Sequence, residues 1–213
     1  ATVERVSNIV EFTVPAEAYE LTRGMQQQVK LRGWYLRGNG VARSDGKRQR
    51  ALIVMSGGGG TRLTAIDDPS DELYSVDPLT GKTHINSFPN ATTGSPGQAG
   101  WRTIMAMFNN SGFDVLAYDR RGVGVSSGYS DTNTLQQGRD LLAAIASLRS
   151  GAGLRVLTPK GGVYSGRAAA KALRGDAPEL PTLLLGNSRG TMATGWAMTM
   201  NFHRDCSYDS TEI

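Results

Sequence analysis

The sequence predicts an α/β fold, a mostly parallel sheet covered by helices on both faces. Two observations carry that prediction. Three short runs are almost wholly apolar: "ALIVMS" at 51–56, "FDVLAYD" at 113–119 and "TLLLG" at 182–186. Strands buried on both faces have this composition. Stretches with helical periodicity lie between and after them, so strand alternates with helix along the chain.

Taken in order, "VERVSNIVEFTV" at 3–14 and "QVKLRGWYL" at 28–36 read as strands, rich in β-branched residues and partly alternating. The basic "RSDGKRQR" at 43–50 reads as a solvated turn. After the strand at 51–56 comes a polar stretch, 61–100, with Pro69, Pro78, Pro89 and Pro96 and little periodicity. A loop this long in a compact domain is expected to be functional or mobile. It carries Asp67, Asp68, Asp71, Glu72 and Asp77, read as a solvated acidic face because no EF-hand spacing is present. "GWRTIMAMFNNSG" at 100–112 suits a helix ending near Gly112. Residues 133–150 set Leu135, Leu141, Leu142, Ile145 and Leu148 on one helical face. Residues 151–180 are glycine-rich and irregular, with a short helix at 165–174, and 189–203 read as the last helix.

Bulk composition narrows the function classes. The chain has 213 residues, 39% of them hydrophobic and 20% charged, enough for a substantial core. A net charge of +4 with dispersed lysines and arginines argues against nucleic acid as a partner. No apolar run is long enough for a membrane span. The start "ATVERV" is consistent with a mature, exported protein, so a secreted or periplasmic location is expected. Asn90 and Asn109 match the glycosylation acceptor pattern. Cys206, the single cysteine, is either a free or buried thiol or a link to another chain.

Three loops, each following a buried strand, carry residues that chemistry could use. "SGGGGTR" at 56–62 offers backbone N–H groups that no side chain obstructs, suited to cradling an oxyanion. No Gly-Lys-Ser/Thr follows, so it is not a phosphate loop. "YDRRGVGVSSG" at 118–128 has Gly-x-Gly-x-x-x-Gly spacing, which departs from the dinucleotide fingerprint. Asp119, Arg121 and Ser126 are expected to hold this loop together through hydrogen bonds. In "GNSRG", Gly186 and Gly190 bracket Ser188 between an apolar strand and a small-residue helix, the context a nucleophile on a sharp turn requires.

The three segments together resemble the α/β-hydrolase family over about residues 28–203. Ser56 stands where that family frequently has His, but the four glycines keep the donors. The resemblance implies Ser188 as nucleophile, with the oxyanion held by the Arg189 N–H and that of Gly58 or Gly59. One such donor is worth roughly 3–4 kcal/mol in the transition state. It also implies a serine hydrolase acting on a small or polymeric carboxylic ester, or an amide, with no cofactor. The family places its acid and its histidine well beyond the nucleophile, yet His203 falls along the helix that Ser188 begins, roughly 20 Å away at 1.5 Å per residue. His84 precedes the nucleophile. The expectation is therefore that 1–213 is the N-terminal portion of one hydrolase domain, an incomplete sheet with an insertion at 61–100. A C-terminal segment or a second chain, made by proteolytic processing, would complete it. The competing reading is a non-catalytic binding or scaffold protein on the same fold.

Overall fold

The computed structural model describes residues 7–57, 74–76, 79, 83–85, 104–130, 133–177 and 180–202. Its centre is a seven-stranded sheet. Strand β1 (Asn8–Pro15) is followed by the short helix α1 (Ala18–Leu21) and by β2 (Gln28–Leu36). A small hairpin, β3 (Val41–Ala42) and β4 (Arg48–Gln49), precedes β5 (Leu52–Ser56). A second hairpin, β6 (Tyr74–Val76) with β7 (Thr83–Ile85), lies within the long polar stretch. Helical residues 104–110 (α2) lead to β8 (Asp114–Tyr118) and then to α3 (Thr134–Ser150). The chain continues through β9 (Leu154–Leu157), β10 (Val163–Ser165), α4 (Gly166–Arg174), β11 (Thr182–Gly186) and α5 (Arg189–Phe202).

The strand order is β10-β9-β1-β2-β8-β5-β11. The α/β class and the helices on both faces match the sequence expectation; the mostly parallel sheet does not. Parallel pairing joins β5 to β8 and β5 to β11, whereas the β2/β8, β1/β2, β1/β9 and β9/β10 pairings are antiparallel. The connection between β1 and β2 holds only a four-residue helix, so the chain turns back instead of crossing over the sheet. The stretch read as irregular, 151–180, supplies the other difference. β9 and β10 form a hairpin on the free side of β1, with Val10 opposite Val156 and Tyr164 opposite Val156 on the far side. Short strands among glycines gave too little alternation to be recognised.

Period-two alternation divides the core between the faces. Leu52 and Val54 join Val10, Phe12, Leu31, Leu116 and Leu141 beneath α3, α4 and α5. Ile53 and Met55 face the other way, with Trp34, Val115, Ala117 and Met105 of α2. Each such side chain contributes about 1.5–3 kcal/mol on burial. Helix α3 begins at Asn133, whose side chain accepts from Gln136 N at 3.1 Å, and ends at Gly151 in the left-handed region. It lies close against α5: a Cβ on Gly138 would sit 2.8 Å from Trp196 Cβ and 3.0 Å from Ala193 O. The patch 43–50, read as a solvated turn, is exposed over 43–49 and closed by Arg43 N donating to Lys47 O at 2.9 Å, but Arg48–Gln49 form β4 and Arg50 turns inward. Asn109 is half-buried and engaged: its Nδ2 donates to Arg37 O and Phe113 O at 3.0 and 3.1 Å.

A buried ionic clamp fixes the edge where the parallel strands begin. Asp114, fully buried at the head of β8, accepts from the Tyr35 hydroxyl, from Gly38 N at 2.9 Å and from Arg50. The same guanidinium donates to the last carbonyls of α4, Leu173 O at 2.9 Å and Arg174 O. Burial, with Asp114 beside it, pushes the Tyr35 phenol well above its ordinary range, so it stays a donor. Replacing Arg50 by Met would strand a buried carboxylate and should lower stability by about 3–5 kcal/mol in urea unfolding. Lys30→Ala, which loses a 3.8 Å pair between a half-exposed lysine and Glu11, should cost less than about 1 kcal/mol.

Candidate active site

The parallel strands β5, β8 and β11 run in one direction, so the loops at their carboxyl ends leave the same edge of the sheet. Gly186 pairs with Ser56 at that edge, which places the start of the glycine loop beside the turn that holds Ser188. The turn is tied across by Asn187 N donating to Ser56 O at 3.1 Å. It closes with Gly190 N to Asn187 O at 2.9 Å and Thr191 N to Ser188 O at 3.0 Å.

Ser188 has φ 56°, and it is the one non-glycine residue with positive φ among the described residues. That conformation costs a residue with a Cβ about 1–3 kcal/mol and persists only where its surroundings impose it. The surroundings here are the two glycines. A Cβ on Gly190 would sit 1.9 Å from Ser56 O, and one on Gly186 would sit 2.5 Å from Gly190 O. Strand and helix therefore approach too closely for side chains at these positions. The serine between them is left exposed at the edge of the sheet.

Arg189 is the first residue of α5, and its N–H belongs to the helical turn whose donors lack intrahelical acceptors. No acidic residue occupies that first turn, so the positive end of the helix faces the serine uncompensated. The turn thus offers an exposed hydroxyl, a donor next to it and a field favourable to developing negative charge. Gly58 and Gly59, the other expected donors, lie outside the described residues, as do His203, Cys206, Asp67, Asp68, Asp71, Glu72 and Asp77. His84 lies on β7 opposite Ser75. No group of three or more His, Cys, Asp or Glu able to hold a metal ion occurs among the described residues. No described helix is long and apolar enough to cross a membrane.

The loop after β8 is held as the sequence predicted. Ser126 Oγ donates to Asp119 O at 2.6 Å and accepts from Arg32 N at 2.9 Å, extending the edge of β2. Ser127 does the same with Lys30, accepting from its N–H at 2.8 Å. Arg121 reaches inward to Asp140 of α3 and Glu20 of α1, both buried. Sequence reading missed this pair of acids. The available signal was the polar run Gln136, Gln137 and Asp140 on the face of α3 that also carries the leucines.

No protein-family model and no curated protein matches the chain. Among solved structures, it is similar to DcsB in complex with its substrate analogue. The identity is 15% and the TM-score 0.46, over 91% of this chain and 41% of that one. The chain thus spans about two fifths of the length of DcsB.

Removing the Cβ at position 188 should relieve the turn. Ser188→Gly is expected to raise stability by about 1 kcal/mol, or roughly 2–4 °C in Tm for a chain of this size. Ser188→Ala should leave Tm unchanged, and Gly190→Ala should lower stability by about 2–3 kcal/mol. Calorimetry of the three variants checks the assignment of strain.

Proposed function

We propose that this chain carries the nucleophile of a serine hydrolase acting on carboxylic esters or amides. The observation that carries the reading is Ser188 at positive φ, exposed between two glycines that admit no side chain. A side chain held at such cost at the end of a parallel strand, ahead of a helix N-terminus, is what an attacking hydroxyl needs. Ser188 Oγ adds to the carbonyl carbon and forms a tetrahedral oxyanion. The Arg189 N–H and an N–H of the glycine loop at Gly58 or Gly59 stabilise that charge. Collapse expels the alcohol or amine and leaves an acyl-enzyme, which water then hydrolyses.

A histidine must take the Ser188 proton, and an acid must orient that histidine. In this reading both come from a C-terminal segment or a second chain. The free side of β11 supports it. Among the described residues β11 pairs only with β5, and Leu183 on it is 50% exposed. An apolar groove lined by Leu142, Ile145, Leu184, Ala197 and Met198 runs beside that strand. An open apolar edge of this kind calls for a further strand and its cover.

A fluorophosphonate probe tests the proposal. The native protein, with the segment or second chain that supplies the histidine present, should be labelled on Ser188, and Ser188→Ala should abolish labelling. A folded, completed protein that takes no label would overturn the hydrolase reading and favour a binding role for the same edge.

A further inference from the structure

Arg121 is shared by two buried carboxylates. Its Nη1 donates to Glu20 Oε2 at 2.5 Å, while Nε and Nη2 form a fork on Asp140 at 2.8 Å each. The three side chains are 5%, 0% and 4% exposed. Two negative charges on one positive charge leave an excess of one, in a place without solvent to screen it. The surroundings do not cancel it. From the N-cap of α1, Glu17 adds a further carboxylate, met by Arg139 at 3.6 Å. From the loop, the Tyr129 N–H donates to Glu20 at 2.8 Å, and from β8 the Tyr118 phenol stays neutral because burial raises its pKa. From α3, Gln136 Nε2 donates to Asp140 at 3.2 Å.

We propose that this junction is a one-proton latch: a proton taken up by Asp140 leaves Arg121 balanced by Glu20 and stabilises the joint of α3 with α1 and with the loop 119–130. Geometry makes the latch consequential. The loop leaves the sheet edge that carries Ser188, and α3 is packed backbone-close on the nucleophile helix at Gly138. The charge state also reaches the surface. Gln136 accepts from the Tyr19 hydroxyl at 3.0 Å, Tyr19 packs edge-on against Tyr129 at 6.3 Å, and Arg23 lies 4.5 Å from the Tyr129 ring centre. Burial above all, with Glu17 and Glu20 adding to it, raises the Asp140 carboxyl to about 6 against the pull of Arg121. The proton is therefore gained in mild acid. A carboxyl raised by folding contributes stability that is complete at low pH and is lost as pH rises through the folded value. The latch is firm below about pH 6 and loosened at neutrality and above.

Carbon-13 NMR of the aspartate carboxyls in the whole chain, read with urea unfolding between pH 4 and 8, tests this. The Asp140 carboxyl should titrate near 6, and the Tyr129 amide should exchange several-fold more slowly, after correction for intrinsic rates, at pH 5 than at pH 7. As pH falls from about 6 towards 4, the wild-type unfolding constant should drop relative to that of Asp140→Asn by up to tenfold per pH unit. In Glu20→Gln the Asp140 midpoint should move down, because one carboxylate then has Arg121 to itself. An Asp140 midpoint in the ordinary range near 4 overturns the latch, as does a midpoint unmoved by Glu20→Gln. Should either variant fail to fold, the wild-type titration alone decides.

Discussion

Strand β5 is hydrogen-bonded in parallel on both sides, to β8 and to β11, and much of the molecule follows from that one constraint. A strand so placed has no face open to water, so its side chains must be apolar in both directions and both faces must be covered. Leu52 and Val54 go to one core, Ile53 and Met55 to the other. Parallel neighbours also require connections long enough to carry a helix, which is how α2, α3 and α4 come to lie against the sheet. Because the three strands point the same way, the glycine loop, the Arg121 loop and the Ser188 turn all leave at one edge.

The two edges of the sheet are built differently. Where the parallel strands begin, Asp114, Arg50 and Tyr35 form a buried clamp that ties β8, β2 and the end of α4 together. Its charges are matched and its donors are satisfied, so it holds position. Where the strands end, the backbone is forced into a conformation that serine does not favour, with Ser56 O and Gly190 as the constraint. Strain of about 1–3 kcal/mol survives only on a rigid support. The clamp at one end and the close contact of α3 with α5 supply that support. The Arg121 cluster, in the loop after β8, differs from the clamp in that its charges are not matched.

Much of the frame was legible in the sequence because burial leaves a periodic trace. The runs 51–56, 113–119 and 182–186 became β5, β8 and β11, and the leucine face at 133–150 became α3. The Ser188 turn was legible for a different reason. Two glycines at fixed offsets around a serine state a steric requirement directly, and the strand before and helix after them match the structure. Ser126 was rightly expected to hold the loop after β8 together, whereas Arg121 ties that loop to α1 and α3. Their partners were not legible, since Arg121 meets Glu20 across a separation of 101 residues.

The sequence alone determined which segments are buried, where the chain must turn and which residue can sit at the strained position. These are local properties, set by side-chain polarity and by the space that glycine leaves. Tertiary structure alone decided strand direction, the addition of β9 and β10 to the β1 edge, and the charge balance around Asp140. Direction depends on how a connection crosses the sheet, and edge pairing on which ladder is free. A carboxyl's proton affinity depends on neighbours brought together by folding. No window of sequence contains both carboxylates and the guanidinium they share.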